Sequence, residues 1–186
     1  MIKKILLSSL ILSTGIAFSQ KITTSAKKEV DSVYIVKSVD DMTDKTYYFP
    51  TFKIPLINKA ENQGLGISAF IDEKEYDNTI YIKDLDVKSI NVGGCVEKSE
   101  IIFLFEDGSK INLISWNKFN CDGNSWFEIP ESDSEILSTK ELRKVKFING
   151  RSYDSFTLEV PANRRRYFIQ LYDAVKNNRV VTINKK

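Results

Sequence analysis

The stretch EIIFLFEDGSKINLISW, residues 100–116, holds two apolar runs on either side of Asp107-Gly108. Asp-Gly between such runs is a strong short-range hairpin signal, because a two-residue type I′ turn needs positive φ at both central positions. That turn pairs Glu106 with Ser109. The ladder then sets Leu104 opposite Ile111 and Ile102 opposite Leu113, giving one wholly apolar face. The second face carries Ile101, Phe103 and Phe105 against Lys110, Asn112 and Ile114. A hairpin this apolar on both sides is expected near the centre of a fold, with its second face partly covered as well.

The flanking sequence repeats the β pattern. VYIVKS (33–38) and TYYFPTF (46–52) are rich in β-branched and aromatic residues and are separated by a polar turn. Pro50 and Pro55 limit the second strand or hold it at an edge. LGISAFI (65–71) and TIYIKDLDVKSI (79–90) follow. In the latter the apolar phase shifts from Ile80 and Ile82 to Leu85 and Val87, which predicts a bulge near Lys83 and Asp84. SWFEI (125–129), KVKFI (144–148) and SFTLEV (155–160) read as short strands. A short helix is expected at 138–143, capped by Ser138 or Thr139. Residues 163–178 read as an amphipathic helix, with Phe168, Leu171, Tyr172 and Val175 on one stripe. The expected fold is mainly β: a β-sandwich or bent antiparallel sheet with one short helix and a C-terminal amphipathic helix, an α+β arrangement being the alternative.

The first residues have a different character. Lys3 and Lys4 precede an apolar run from Ile5 to Phe18, and Ala17 and Ser19 stand where a signal peptidase reads small residues. Residues 1–19 are therefore expected to be a cleaved signal peptide, the alternative being a membrane anchor. The run is short for a bilayer span. No cysteine stands at the cleavage point to take a lipid. Residues 20–30 are a polar lead-in and 31–186 a single β-rich domain, exported to the periplasm or the extracellular space, with no membrane insertion after cleavage. The chain has 27 basic side chains, of which Lys3 and Lys4 fall in the signal; the remaining 25 balance 25 acidic ones. A balanced charge gives no general pull toward nucleic acid.

The chain contains no histidine and two cysteines, Cys95 and Cys121. Cys-His and Ser-His-Asp catalysis and histidine-containing zinc sites are thereby excluded. Two cysteines do not make a Cys₄ site, and an oxidising compartment favours a bond between them. Carrying the hairpin register outward places Cys95 opposite residue 120, one position from Cys121, so a bulge or the flexibility of Gly93-Gly94 closes a Cys95–Cys121 disulfide. In the chain-entropy account such a bond contributes roughly 3–4 kcal/mol.

Around Cys121, the residues Trp116, Asn120, Asp122, Asn124 and Trp126 combine two indoles with amides and a carboxylate, the chemistry of a sugar-binding surface. The ordinary alternative is a polar turn between core tryptophans. Strand alternation buries at least one indole and makes Trp126 the better candidate for exposure, with Phe127 inward. Asp122 with Asn124, and the acidic turn at 40–44, lack the spacing of a calcium loop and read as solvated turns, so no metal or cofactor is expected. Arg164, Arg165 and Arg166 open the last helix against its dipole, each at a cost of about 0.3–1 kcal/mol, and suggest an anion site unless nearby acids pair with them. No spacing singles out a catalytic pair of carboxylates.

These residues point to an exported, non-catalytic β-rich module that binds a ligand, a glycan among the candidates, or an envelope protein. The alternatives are a carboxylate-dependent glycan hydrolase and a secreted inhibitor or immunity-type protein. The export reading is checked by mass spectrometry of the mature chain, which should begin at Gln20; exported material that retains residues 1–19 refutes it.

Overall fold

The computed structural model describes residues 34–39, 42, 46–51, 53–74, 79–177 and 180–182. The signal and lead-in regions and most of the 40–44 turn lie outside the described residues. Among the described residues eleven strands form: β1 (Ile35–Val39), β2 (Thr46–Pro50), β3 (Ile54–Asn58), β4 (Gln63–Glu73), β5 (Ile80–Ile90), β6 (Glu100–Phe105), β7 (Lys110–Ile114), β8 (Asn124–Glu128), β9 (Leu142–Ile148), β10 (Ser155–Glu159) and β11 (Val180–Thr182). Helix α1 (Glu131–Thr139) lies between β8 and β9, and α2 (Tyr167–Lys176) precedes β11.

The fold is mainly β, as expected, with two sheets. The larger has the order β11-β1-β2-β4-β5-β8, with β3 beside the first half of β4. The smaller has the order β10-β9-β6-β7. Neighbouring strands are antiparallel except β1 and β11, which run parallel. Ile67, Leu85, Val87 and Phe127 from the larger sheet share one buried cluster with Ile101, Phe103, Phe105 and Phe147 from the smaller. The apolar stripe of α2 joins the same core: Phe168 meets Phe103 edge-on at 5.8 Å, while Leu171 and Val175 are buried and Tyr172 half-buried.

Two local expectations are corrected. The hairpin closes through three residues, not two. The Phe105 N–H donates to Ser109 O and the Gly108 N–H to Phe105 O, both at 3.0 Å, with Gly108 at φ +85°. Asp107 does not take the positive φ of a type I′ turn, and its carboxylate accepts from the Ser109 N–H at 2.9 Å and pairs with Lys140 at 2.8 Å. With one more residue in the loop, Phe103 faces Ile111 and Ile101 faces Leu113. A one-residue slip exchanges the faces, so Ile101, Phe103 and Phe105 are buried while Ile102 and Leu104 are half-exposed.

The short helix also sits earlier, at 131–139. Glu131 and Asp133 favour its N-terminal dipole, and Pro130 before it needs no N–H partner. Ser138 and Thr139 hydroxyls instead donate back to Glu135 O, at 3.0 and 2.8 Å, and so end the helix that they were expected to start. Residues 142 and 143 belong to β9. The second strand ends at Pro50, and the chain rejoins the β4 edge as β3, with Pro55 opposite Gly66.

The bulge falls where the phase shift predicted it. Phe70 pairs with Asp84 and Ile71 with Ile82, leaving Lys83 as the extra residue. Ile82 and Leu85 can then both point inward, and both are fully buried. The observed hairpin register is tested by paired truncations. Phe103→Ala should cost about 3–5 kcal/mol in chemical denaturation, against under about 2 kcal/mol for Leu104→Ala; a larger loss for Leu104→Ala contradicts this register.

Candidate functional site

Strands β2, β4, β5 and β8 turn alternate side chains away from the core, onto the outer face of the larger sheet. There Tyr47 and Phe49 from β2, Phe70 and Asp72 from β4, Lys83 and Asp84 from β5 and Trp126 from β8 line an open groove of about 460 Å³, joined by Trp116. The rings are continuous. Phe49 and Phe70 lie 6.4 Å apart, Phe70 and Trp126 5.6 Å, and Trp126 and Trp116 6.4 Å, all tilted. Centroid separations in this range are those of interacting aromatic pairs.

Trp116 reaches the groove because the chain changes sheets beside it. Ser115 still donates to Ser99 O of the smaller sheet at 2.8 Å, whereas the Trp116 N–H donates to Trp126 O at 3.0 Å. The expected order of exposure is reversed: Trp116 is 64% exposed, and Trp126 is half-buried. Neighbouring rings on both sides, Phe70 and Trp116, shield Trp126.

The loop between these tryptophans carries the rest of the expected sugar-binding cluster. Its polar groups are engaged in folding it. The Asn120 side chain donates to Asn124 O at 2.8 Å and accepts from the Asn124 N–H at 3.2 Å, and Asn117 Oδ1 accepts from the Trp126 N–H at 2.8 Å. Gly123 has φ +73°, and a Cβ there would lie 2.7 Å from Ser89 O, so this glycine allows the loop to dock on β5. Asp122 is exposed, and its carbonyl accepts from Lys88. Asn120, Asp122 and Asn124 do not line the groove.

The Cys95–Cys121 disulfide is present, with an S–S distance of 2.04 Å and Cα atoms 3.9 Å apart. Beside it Val96 and Asn120 form an isolated antiparallel bridge. Fully buried Asn149 holds the other side of the link, donating to Val92 O at 2.8 Å and Cys95 O at 3.0 Å. The arginines of the expected anion site find three different partners. Arg164 donates to Pro55 O at 3.1 Å, Arg165 pairs with Glu106, and Arg166 lies 3.6 Å from Glu141. Only Arg166 abuts α2, which begins at Tyr167.

The groove's charged end was missed in the sequence, as were Tyr47, Phe49 and Phe70. The period-two aromatics at 47 and 49 were a usable signal, as was the bulge that turns Lys83 and Asp84 into the same hollow. Asp72 and Lys83 form an ion pair at 3.0 Å, and the hydrogen bond from Lys83 raises its ammonium pKa. Burial pushes the Asp84 carboxyl up; Lys83 opposes that, while Glu128 and Asp72 add to it. Asp84 and Glu128 stand directly opposite one another on β5 and β8. Among the described residues neither carboxylate has a hydrogen bond or ion pair.

Comparisons with models of known protein families, with curated proteins and with solved structures found no match.

The raised value at Asp84 has a stability consequence. When the folded-state pKa lies above the unfolded one, ionisation opposes folding: the penalty is absent below the unfolded value, grows through the window between the two, and is complete above the folded one. Asp84→Asn should therefore raise the melting temperature at pH 7, with the gain vanishing as the pH is lowered past the unfolded value; equal melting temperatures at pH 7 count against a strained carboxylate here.

Proposed function

We propose that this chain is an exported, non-catalytic binding module whose site is the aromatic groove on the outer face of the larger sheet, and that its ligand is a glycan. The observation that supports this is the unbroken run of four rings from Phe49 to Trp116, with charged groups at one side. Tilted aromatic faces stack on the apolar faces of pyranose rings, and the adjoining carboxylates accept from hydroxyls. Three of those rings stand on strands of one sheet, which hold a site more rigidly than loops do. The polar loop first expected to contact sugar becomes the support for Trp116 and Trp126.

One observation favours a second reading, a carboxylate-dependent glycan hydrolase. Asp72 and Asp84 share the groove in unlike settings, one paired with Lys83 and the other pushed toward its protonated form. A carboxyl group raised by burial is the usual candidate for a general acid in such a site. Turnover of an oligosaccharide that is lost in both Asp72→Asn and Asp84→Asn would move the protein to this class.

The binding reading is tested by calorimetry against a panel of neutral, acidic and amino oligosaccharides. Trp116→Ala should lower affinity at least about ten-fold, or about 1.4 kcal/mol. Because the ring is largely exposed, it should change stability by no more than about 1 kcal/mol. Unchanged affinity, or no binding to any member of the panel by the unaltered protein, overturns the reading.

A further inference from the structure

The charge around the groove is unbalanced. Asp72 and Asp84 line it, Glu128 stands outside the lining directly opposite Asp84, and Lys83 contributes one ammonium already paired with Asp72. Like charges directly opposite on adjacent strands destabilise a sheet. Among the described residues the other charged pair directly opposite in register is of unlike sign: Lys144 faces Glu159 across β9 and β10 and pairs with it. The Asp84–Glu128 pair is a locally unfavourable choice set beside Phe70 and Trp126; among the described residues the cation acting on it is Lys83, whose ammonium is already paired with Asp72. A local rule broken in this way is the expected mark of a functional site. Electron-rich ring faces, the indole best of all, attract a cation held within about 6 Å of them.

We propose that the groove recognises a positively charged glycan, an amino sugar whose free ammonium group sits between the Trp126 and Phe70 faces and the Asp84 and Glu128 carboxylates. This inference rests on the glycan-binding reading and specifies its ligand class. The sugar ring stacks along the aromatic run while its ammonium supplies the missing charge. An N-acetylated sugar of the same length keeps the stacking and loses the charge. An acidic sugar is repelled.

The test is calorimetric titration of the full mature protein with three probes: a glucosamine trisaccharide, its fully N-acetylated counterpart and trilysine, at a pH where the amines are charged and the carboxylates ionised. The amino trisaccharide should bind at least ten-fold more tightly than the acetylated one and more tightly than trilysine. Added salt should reduce that preference. Asp84→Asn should abolish the ten-fold preference for the amino sugar over the acetylated one, and Glu128→Gln should shift that preference the same way. Equal affinity for the two sugars overturns the charge inference while leaving the glycan reading in place. Failure of both sugars to bind overturns both. Trilysine binding as tightly as the amino sugar removes the case for a saccharide scaffold.

Discussion

The extra residue at Lys83 is the constraint from which both faces of the larger sheet follow. β4 and β5 are eleven residues each and form the longest pairing among the described residues. Without the bulge, strict alternation would put Ile82 and Leu85 on opposite faces. With it, both enter the core, and the backbone turns Lys83 and Asp84 outward together. The same irregularity leaves the Ile82 N–H to be satisfied by Ser134 Oγ of α1 at 2.7 Å, and lets Lys83 O accept from the Ile129 N–H at 2.7 Å. Core closure, docking of α1 and the charged end of the groove therefore share one cause.

The disulfide acts on the loop between the two tryptophans. It joins residues 26 apart in sequence and closes the loop that contains the whole β6–β7 hairpin. Beyond the hairpin the chain crosses from the smaller sheet to the larger at Ser115 and Trp116, and the connection back to β8 is held by Asn117, Asn120 and Gly123. Strands that switch sheets make the corners of two-layered β folds. Here the corner carries one indole to the other. Cys121 is thus a structural residue whose position governs an aromatic groove it does not line.

Alternation and β propensity made the strands, the bulge and the C-terminal stripe legible, because each is a short-range pattern that one interior face enforces. The hairpin register was not legible in the same way. Both faces of 101–105 are apolar, and Asp-Gly closes either a two- or a three-residue loop; the Asp107 contacts with Ser109 and Lys140 accompany the longer one. Helix α1 was misplaced because Ser138 and Thr139 carry the chemistry of either end of a helix. Of the site, the two tryptophans were legible as aromatic residues flanking a polar loop. Their partners were not, since Tyr47, Phe49, Phe70 and Asp84 become neighbours only when strands far apart in sequence pair.

The chain has two tryptophans, and both belong to the groove. Their rings touch each other, Trp126 also touches Phe70, and one indole is largely open to water while the other is half-covered. The protein's ultraviolet emission therefore originates almost wholly at one place on its surface. It carries little information about the phenylalanine-rich core and much about what lies against the sheet's outer face. An occupant that displaces water from Trp116 alters the colour and yield of that light directly, so the molecule contains its own optical probe of the site, with no label attached.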